Sequence, residues 1–324
     1  MITLGNEHVD WLMIRQALSL SLYTGKPCSI TGGFPWLMAN PGFRGLMSDF
    51  ENIFAETGFA SLTVEGDDVL CVPGEGRFGN FRFATHQQSS AIEVLLLLLP
   101  LLSAQEFRSK LEIRGVTHSG LSHPTSFIKE TLLEILEKMG FFASCTLRRF
   151  GFTGSLGGEI ESRIYPAEMS KIDLSGRVDI TGIIGARVYI SGLDTIHAER
   201  EKTLLKEKAG VPEGSVSIMQ IIDADGPGNI IEVYYGTSLV PMVISYMVPV
   251  HDSDGAMVFN DDAVEAAMNE LGHRCNNFRM KKLVPETVFR EILPYAVLAG
   301  SPVEIPGGYQ KAAETLSLIE DFLR

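Results

Sequence analysis

The sequence is short of cysteine, of positive charge and of long apolar runs, and each shortage excludes something. Its four cysteines, Cys28, Cys71, Cys145 and Cys275, lie far apart and form no CxxC pair. That spacing argues against a disulfide framework or a zinc site and fits reduced core thiols in a cytoplasmic protein. The longest apolar stretch, VLLLLLPLL at 94–102, is broken by Pro100. A bilayer span needs about 20 apolar residues, so this run reads as a buried helix and no membrane association is expected. Residues 1–15 lack a basic segment leading into an apolar core, so no secretory signal is visible. Basic residues number 27 against 40 acidic ones, a formal charge of −13. Counterion release favours basic stripes, so this is a poor surface for long nucleic acid. A small pocket for one phosphate or one RNA end remains compatible with it.

What is present is ordinary globular material: 324 residues, 45% hydrophobic and 21% charged, too long for a single core. Periodicity and breakers predict a helix over 10–24, a strand over 27–32, a helix over 41–58 and a hairpin over 61–74. The same order returns about 80 residues later, with a helix over 90–103, a strand over 110–115, a helix over 126–140 and strands over 143–152 and 157–165. This is the signature of a duplicated α+β unit. After residue 182 the texture changes to a β-α-β-β-α block that reads as an inserted domain over 183–281. Helices over 285–299 and 309–323 then read as a third, incomplete copy, so that 1–182 and 282–324 form the main domain.

One stretch poses a chemical question. In EHVDWLMIRQALSLSLYTGKP (7–27) the only charge between Asp10 and Lys26 is Arg15, with Trp11, Leu18 and Leu22 on its helical face. An unpaired buried charge is costly, so Arg15 requires a partner, for instance an internal acid such as Glu93 or Glu291.

Nine short stretches, in order, resemble the RNA 3′-terminal phosphate cyclase family. They are IRQALSLSLYTGKPCSIT (14–31), ANPG (39–42), FRFA (81–84), HPTSFIKETLLEILEKMG (123–140), RRFGFTGSLGG (148–158), HAERE (197–201), GPGN (226–229), LPYAVLAG (293–300) and LIEDFL (318–323). The resemblance implies an α+β fold of repeated units, each a four-stranded sheet backed by two helices, with a smaller inserted α+β domain. It implies a chemistry that uses ATP and Mg to activate an RNA 3′-phosphate through an adenylated histidine. That chemistry needs a nucleophile, donors for phosphate oxygens and an acid for the metal.

Set on that family, Arg15 falls where an arginine faces the phosphate. The other positions differ. The glycine-rich segment before the first helix is EHVDWL (7–12), with His8 at the metal-binding glutamate and Glu7 beside it. Two expected arginines are Pro35 and Met38, and two expected glutamines are Leu46 and Leu96. Arg290 and Glu291 replace an aspartate and a glutamine, and Lys311 stands where the family has its nucleophilic histidine. Arg44, at a helix start, is placed to substitute for a lost phosphate donor. Each donor lost from a developing charge costs roughly 3–4 kcal/mol, so ancestral cyclisation is not expected.

Three functions follow. The first is a non-cyclising protein with a residual nucleotide or RNA-end pocket around Arg15, Arg44, Arg290 and Glu291, in the manner of a ribosome-assembly branch of the family that binds ribosomal particles. The second is a reworked enzyme in which His8, His86, His118 and His123 converge, with or without a metal and with Glu7, Asp10 and Glu291 near, on a phosphoester or other small substrate. The third is an active cyclase with Lys311 as the adenylated nucleophile, although YQKAAET also reads as a solvated lysine at a helix start. HAERE reads as a structural signature paired with GPGN, DADGPGN (223–229) as a tight turn, and RRF (148–150) as a strand surface able to touch RNA.

Overall fold

A computed structural model of the chain describes residues 1–5, 9–31, 39–65, 68–76, 79–154, 157–251 and 255–324. Its first unit runs β1 (Ile2–Gly5), α1 (Trp11–Thr24), β2 (Cys28–Thr31), α2 (Pro41–Thr57), β3 (Ala60–Glu65) and β4 (Asp68–Pro73). The second runs β5 (Asn80–Ala84), α3 (Ala91–Ser103), β6 (Ser109–Arg114), a composite helix α4, β7 (Ala143–Arg149) and β8 (Glu159–Ile164). Helix α4 joins Thr125–Phe127, a π-helical segment Ile128–Leu132 and Leu133–Lys138.

The duplication read from the sequence is a duplication of topology. The sheets are ordered β1-β2-β4-β3 and β5-β6-β8-β7, and in each the first pair is parallel and the other two antiparallel. The opening strands β1 and β5 escaped the periodicity argument. They are four and five residues long, and parallel pairing with β2 and β6, across an intervening helix, makes them strands.

Local chemistry sets the helix ends. Asp10 caps α1 by accepting from Met13 N–H, and Gly25 closes it at φ 70°, a left-handed conformation that suits glycine. Asn40 caps α2, whose first residue is Pro41. Every residue of α3 is buried, Pro100 included, as the apolar run predicts. Helix α1 packs against α3, and Leu18, Leu20 and Leu22 of α1 join the leucines of α3 in the core at about 1.5–3 kcal/mol for each fully buried side chain. All four cysteines are free and buried. Among the described residues, no helix is long and apolar enough to cross a membrane.

A third sheet is built from β9 (Ile180–Ser191), β10 (Val216–Gln220), β11 (Gly228–Thr237) and β12 (Met242–Met247), in the order β10-β9-β11-β12. Two helices pack on it: α5 (Ile196–Leu204, continued by a π-helical segment Leu205–Ala209) and α6 (Asp261–Lys281). The HAERE and GPGN motifs meet here, where Asn229 Nδ2 donates to the buried Glu201 Oε2 at 3.1 Å. The last helices are α7 (Glu286–Leu298) and α8 (Gln310–Leu323). Between them Val303 makes an isolated parallel bridge to Leu174.

Candidate functional site

A cavity of about 580 Å3 opens between α1, the loop 119–124, β12 and α7. Arg15 projects into its floor and is only 3% exposed. Its Nη2 donates to Glu291 Oε1 and Oε2 at 2.5 and 2.6 Å. On its other edge Nε lies 3.0 Å from Glu93 Oε2, an ion pair whose angle falls short of a hydrogen bond. That oxygen also accepts from Trp11 Nε1 at 2.7 Å. The lone arginine of the apolar helix is therefore paired with both of the internal acids that the sequence offers.

Each charge in this cage responds to the others. Burial works against Arg15, but Glu291 and Glu93 outweigh it and raise its pKa above the ordinary arginine value. Glu93 moves upward: burial is the main cause and the neighbouring Glu291 adds to it, against Arg15 and the Trp11 N–H. His123 stacks on Phe127 at 3.9 Å between ring centroids, with Nε2 3.7 Å from Glu291 Oε1. Burial, helped by Arg15, pushes its imidazole below the ordinary range in spite of Glu291.

A second arginine is also spoken for. Arg290 Nη1 and Nη2 donate to Asp10 Oδ2 and Oδ1, both at 2.7 Å, and Nε donates to Thr315 Oγ1 at 2.9 Å. Its backbone carbonyl accepts from Gln16 Nε2 at 2.7 Å. Burial disfavours the Asp10 charge, yet Arg290, the Met13 N–H and Lys311 together hold the carboxyl below its ordinary value. The cavity floor thus sets two arginines against Asp10, Glu93 and Glu291. Its aromatic wall is Trp11 stacked on Phe43 at 5.0 Å.

The predicted site residues divide sharply. Arg15, Arg290, Glu291 and His123 come together in this cavity. Arg44 does not line it: that side chain sits on the exposed side of the first turn of α2. Lys311 is the second residue of α8 and pairs with Glu314 at 3.4 Å. Glu7, His8, Pro35 and Met38 lie outside the described residues.

His86, His118 and His123, grouped with His8 in the histidine-lined metal expectation, lie apart among the described residues. His86 is exposed, His118 is buried against Phe150 and Phe152, and only His123 reaches the cavity. Among the described residues no three His, Cys, Asp or Glu side chains form a group that could hold a metal. The His118 and His123 rings are further held by stacking on Phe150 and Phe127.

Sequence reasoning missed the contribution of the third sheet to this cavity. Ser245 and Tyr246 of β12 and Arg274 of α6 line it, with the Arg274 guanidinium 5.0 Å from the Tyr246 ring centroid. No local signal marks them, because β12 was not recognised as a strand.

Repeated four-stranded units, an inserted sheet and a polar cleft between them define an α+β protein of cyclase type. A family model described as RNA 3′-terminal phosphate cyclase matches residues 12–324. An RNA 3′-terminal phosphate cyclase of Pseudomonas fluorescens is 32% identical over 227 residues, which cover 68% of this chain and 64% of that protein. The chain thus matches a little under two thirds of the length of that curated relative. It belongs to the RNA 3′-terminal phosphate cyclase family.

Proposed function

We propose that this family member does not cyclise RNA ends, and that its cleft binds an RNA 3′ end carrying free 2′- and 3′-hydroxyls. The observation that carries this reading is the carboxylate cage of Arg15, with Glu291 at 2.5 Å and Glu93 at 3.0 Å. A phosphate brought to Arg15 must displace Glu291 or share the guanidinium with it. Two like charges about 5 Å apart repel by about 3 kcal/mol at an effective dielectric of about 20. A ribose diol meets no such penalty, because carboxylates accept hydrogen bonds from hydroxyls. Phe43, half-buried at the cleft wall and stacked on Trp11, supplies an aromatic surface for the terminal base. Arg44, outside the cleft, suits an upstream phosphate of the bound strand.

Arg15 and Arg290 are both paired with acids of the chain, so neither offers a free guanidinium to an ATP phosphate. No step is assigned to ATP or magnesium. The buried free thiols favour a reducing compartment such as the cytoplasm, where an RNA end on a ribosomal particle is a natural partner.

The test uses short RNAs that differ only at the 3′ end. Oligomers ending in hydroxyl should bind at least as tightly as those ending in phosphate, and ATP should yield no cyclic phosphate. Tighter binding of the 3′-phosphate, or ATP-dependent ring closure, would overturn the proposal.

A further inference from the structure

A second cavity, of about 280 Å3, lies where the second unit meets the inserted sheet, and it shares no lining residue with the cleft. One of its walls is aromatic. Phe150 stacks on the His118 ring with centroids 4.7 Å apart and planes 16° apart, and leans on Tyr189 at 5.5 Å. Phe150 is half-buried and ends the RRF segment, so its ring borders both the cavity and the surface that carries Arg148 and Arg149.

The polar wall is well satisfied, with one exception. Glu232 accepts from Ser126 and from Tyr234, and Arg187 Nη1 donates to Glu130 at 3.1 Å and to Tyr234 Oη at 2.9 Å. Thr125 is different: it is 4% exposed, lines the cavity, and its buried Oγ1 has no hydrogen-bond partner. A buried hydroxyl carries the desolvation cost of its unmade bond unless something fills it. Burial also holds His118 neutral, with a pKa of about 3, so its imidazole meets a ligand uncharged.

The charge at the cavity differs from that of the whole chain. Lys129 is exposed at its edge and Arg187 lines its wall. Two acids, Glu130 and Glu232, face them; Arg187 pairs with Glu130 at 3.1 Å, and burial raises the Glu232 pKa against its hydrogen bonds from Ser126 and Tyr234. The lining thus balances two cations against two acids, beside stacked rings, on a molecule of net charge −13. It is the pairing of features that proteins use to hold single nucleotides: an aromatic face for the base and cations for the phosphate.

We infer that this cavity binds one nucleotide unit, its base packed against Phe150 and Tyr189, a polar group of the unit at Thr125, and its phosphate at Lys129. The volume lies just under the roughly 300 Å3 at which small-ligand pockets begin, which suits one nucleotide and not a run of them. The unit is either a free nucleoside monophosphate or one residue of a single-stranded RNA. This inference does not rest on the reading of the cleft.

Two probes without a terminal diol keep the two sites apart: 2′,3′-dideoxyadenosine monophosphate, and a circular single-stranded RNA. Binding of each to the full chain is measured by equilibrium dialysis for wild type, Thr125→Val and Phe150→Ala. Thr125→Val removes a hydroxyl that holds no bond, so it should melt at the wild-type temperature while binding about 3- to 10-fold more weakly, the worth of one hydrogen bond. Phe150→Ala should lose about 10-fold or more, the worth of one base stack. Losses with the mononucleotide identify a free nucleotide as ligand, and losses confined to the circle identify a residue within a strand. No binding of either probe to wild type, or wild-type affinity in both variants, would overturn the inference and leave the cleft proposal standing.

Discussion

Arg290 and Asp10 face each other through two parallel 2.7 Å hydrogen bonds, although 280 residues separate them in the chain. Asp10 is the cap of α1 and Arg290 sits inside α7, so this one pair fastens the first unit to the last. Asp10→Asn keeps a side chain able to cap but removes the charge that Arg290 needs. We expect a loss of about 2 kcal/mol by chemical denaturation, below the roughly 3–5 kcal/mol of a fully buried pair because Asp10 is partly open to water. The Asp10 carboxyl titrates below its ordinary value of 3.8. Its stabilisation is therefore complete above about pH 4 and disappears as pH falls through the folded-state pKa. Wild type should lose this part of its stability in acid, and Asp10→Asn should not.

Glu291→Gln opens the cage around Arg15. Without that negative charge a terminal phosphate should compete better, and the ratio of 3′-phosphate to 3′-hydroxyl affinity should rise about 10- to 100-fold, equivalent to about 1.4–2.8 kcal/mol. The accompanying stability loss is reduced because Glu93 still pairs with Arg15. An unchanged ratio in binding assays would show that Glu291 does not govern which end is chosen.

Glu201 makes a pH prediction of opposite sign. Burial is the main cause that raises its pKa from 4.5 to about 7, against the Asn229 hydrogen bond. The folded chain therefore keeps a proton there that the unfolded chain has released. Stability is highest below about pH 4.5, falls as pH rises through about 7, and then levels off, by about 3 kcal/mol in total. Glu201→Gln should flatten that slope in denaturation curves taken across this range.

Lys311 and Glu314 form a half-buried pair one turn apart on α8, of the kind worth about 1 kcal/mol or less. Lys311→Ala should leave the melting temperature nearly unchanged. Intact-mass measurement after incubation with ATP should find no adenylate on the wild-type chain. A covalent adduct that vanishes in Lys311→Ala would restore the lysine-nucleophile reading.

Much of this molecule is written locally. Asp10, Asn40, Gly25 and Gly58 mark helix ends within a few residues of themselves, and the helix–strand–helix–hairpin order repeats in contiguous windows. Such features need no knowledge of distant chain, and the sequence by itself determined the duplication, the buried leucine helix and the demand of Arg15 for a partner. It also paired HAERE with GPGN, because both motifs fall at junctions of one β-α-β block. Tertiary structure alone decided the rest. Strands β1 and β5 exist through parallel neighbours across a helix. Glu93 and Glu291 reach Arg15 from 78 and 276 residues away, and His118 and His123 stack on different phenylalanines. Periodicity reports which face of a segment is buried; which charge waits on the other side is set only when the chain closes on itself.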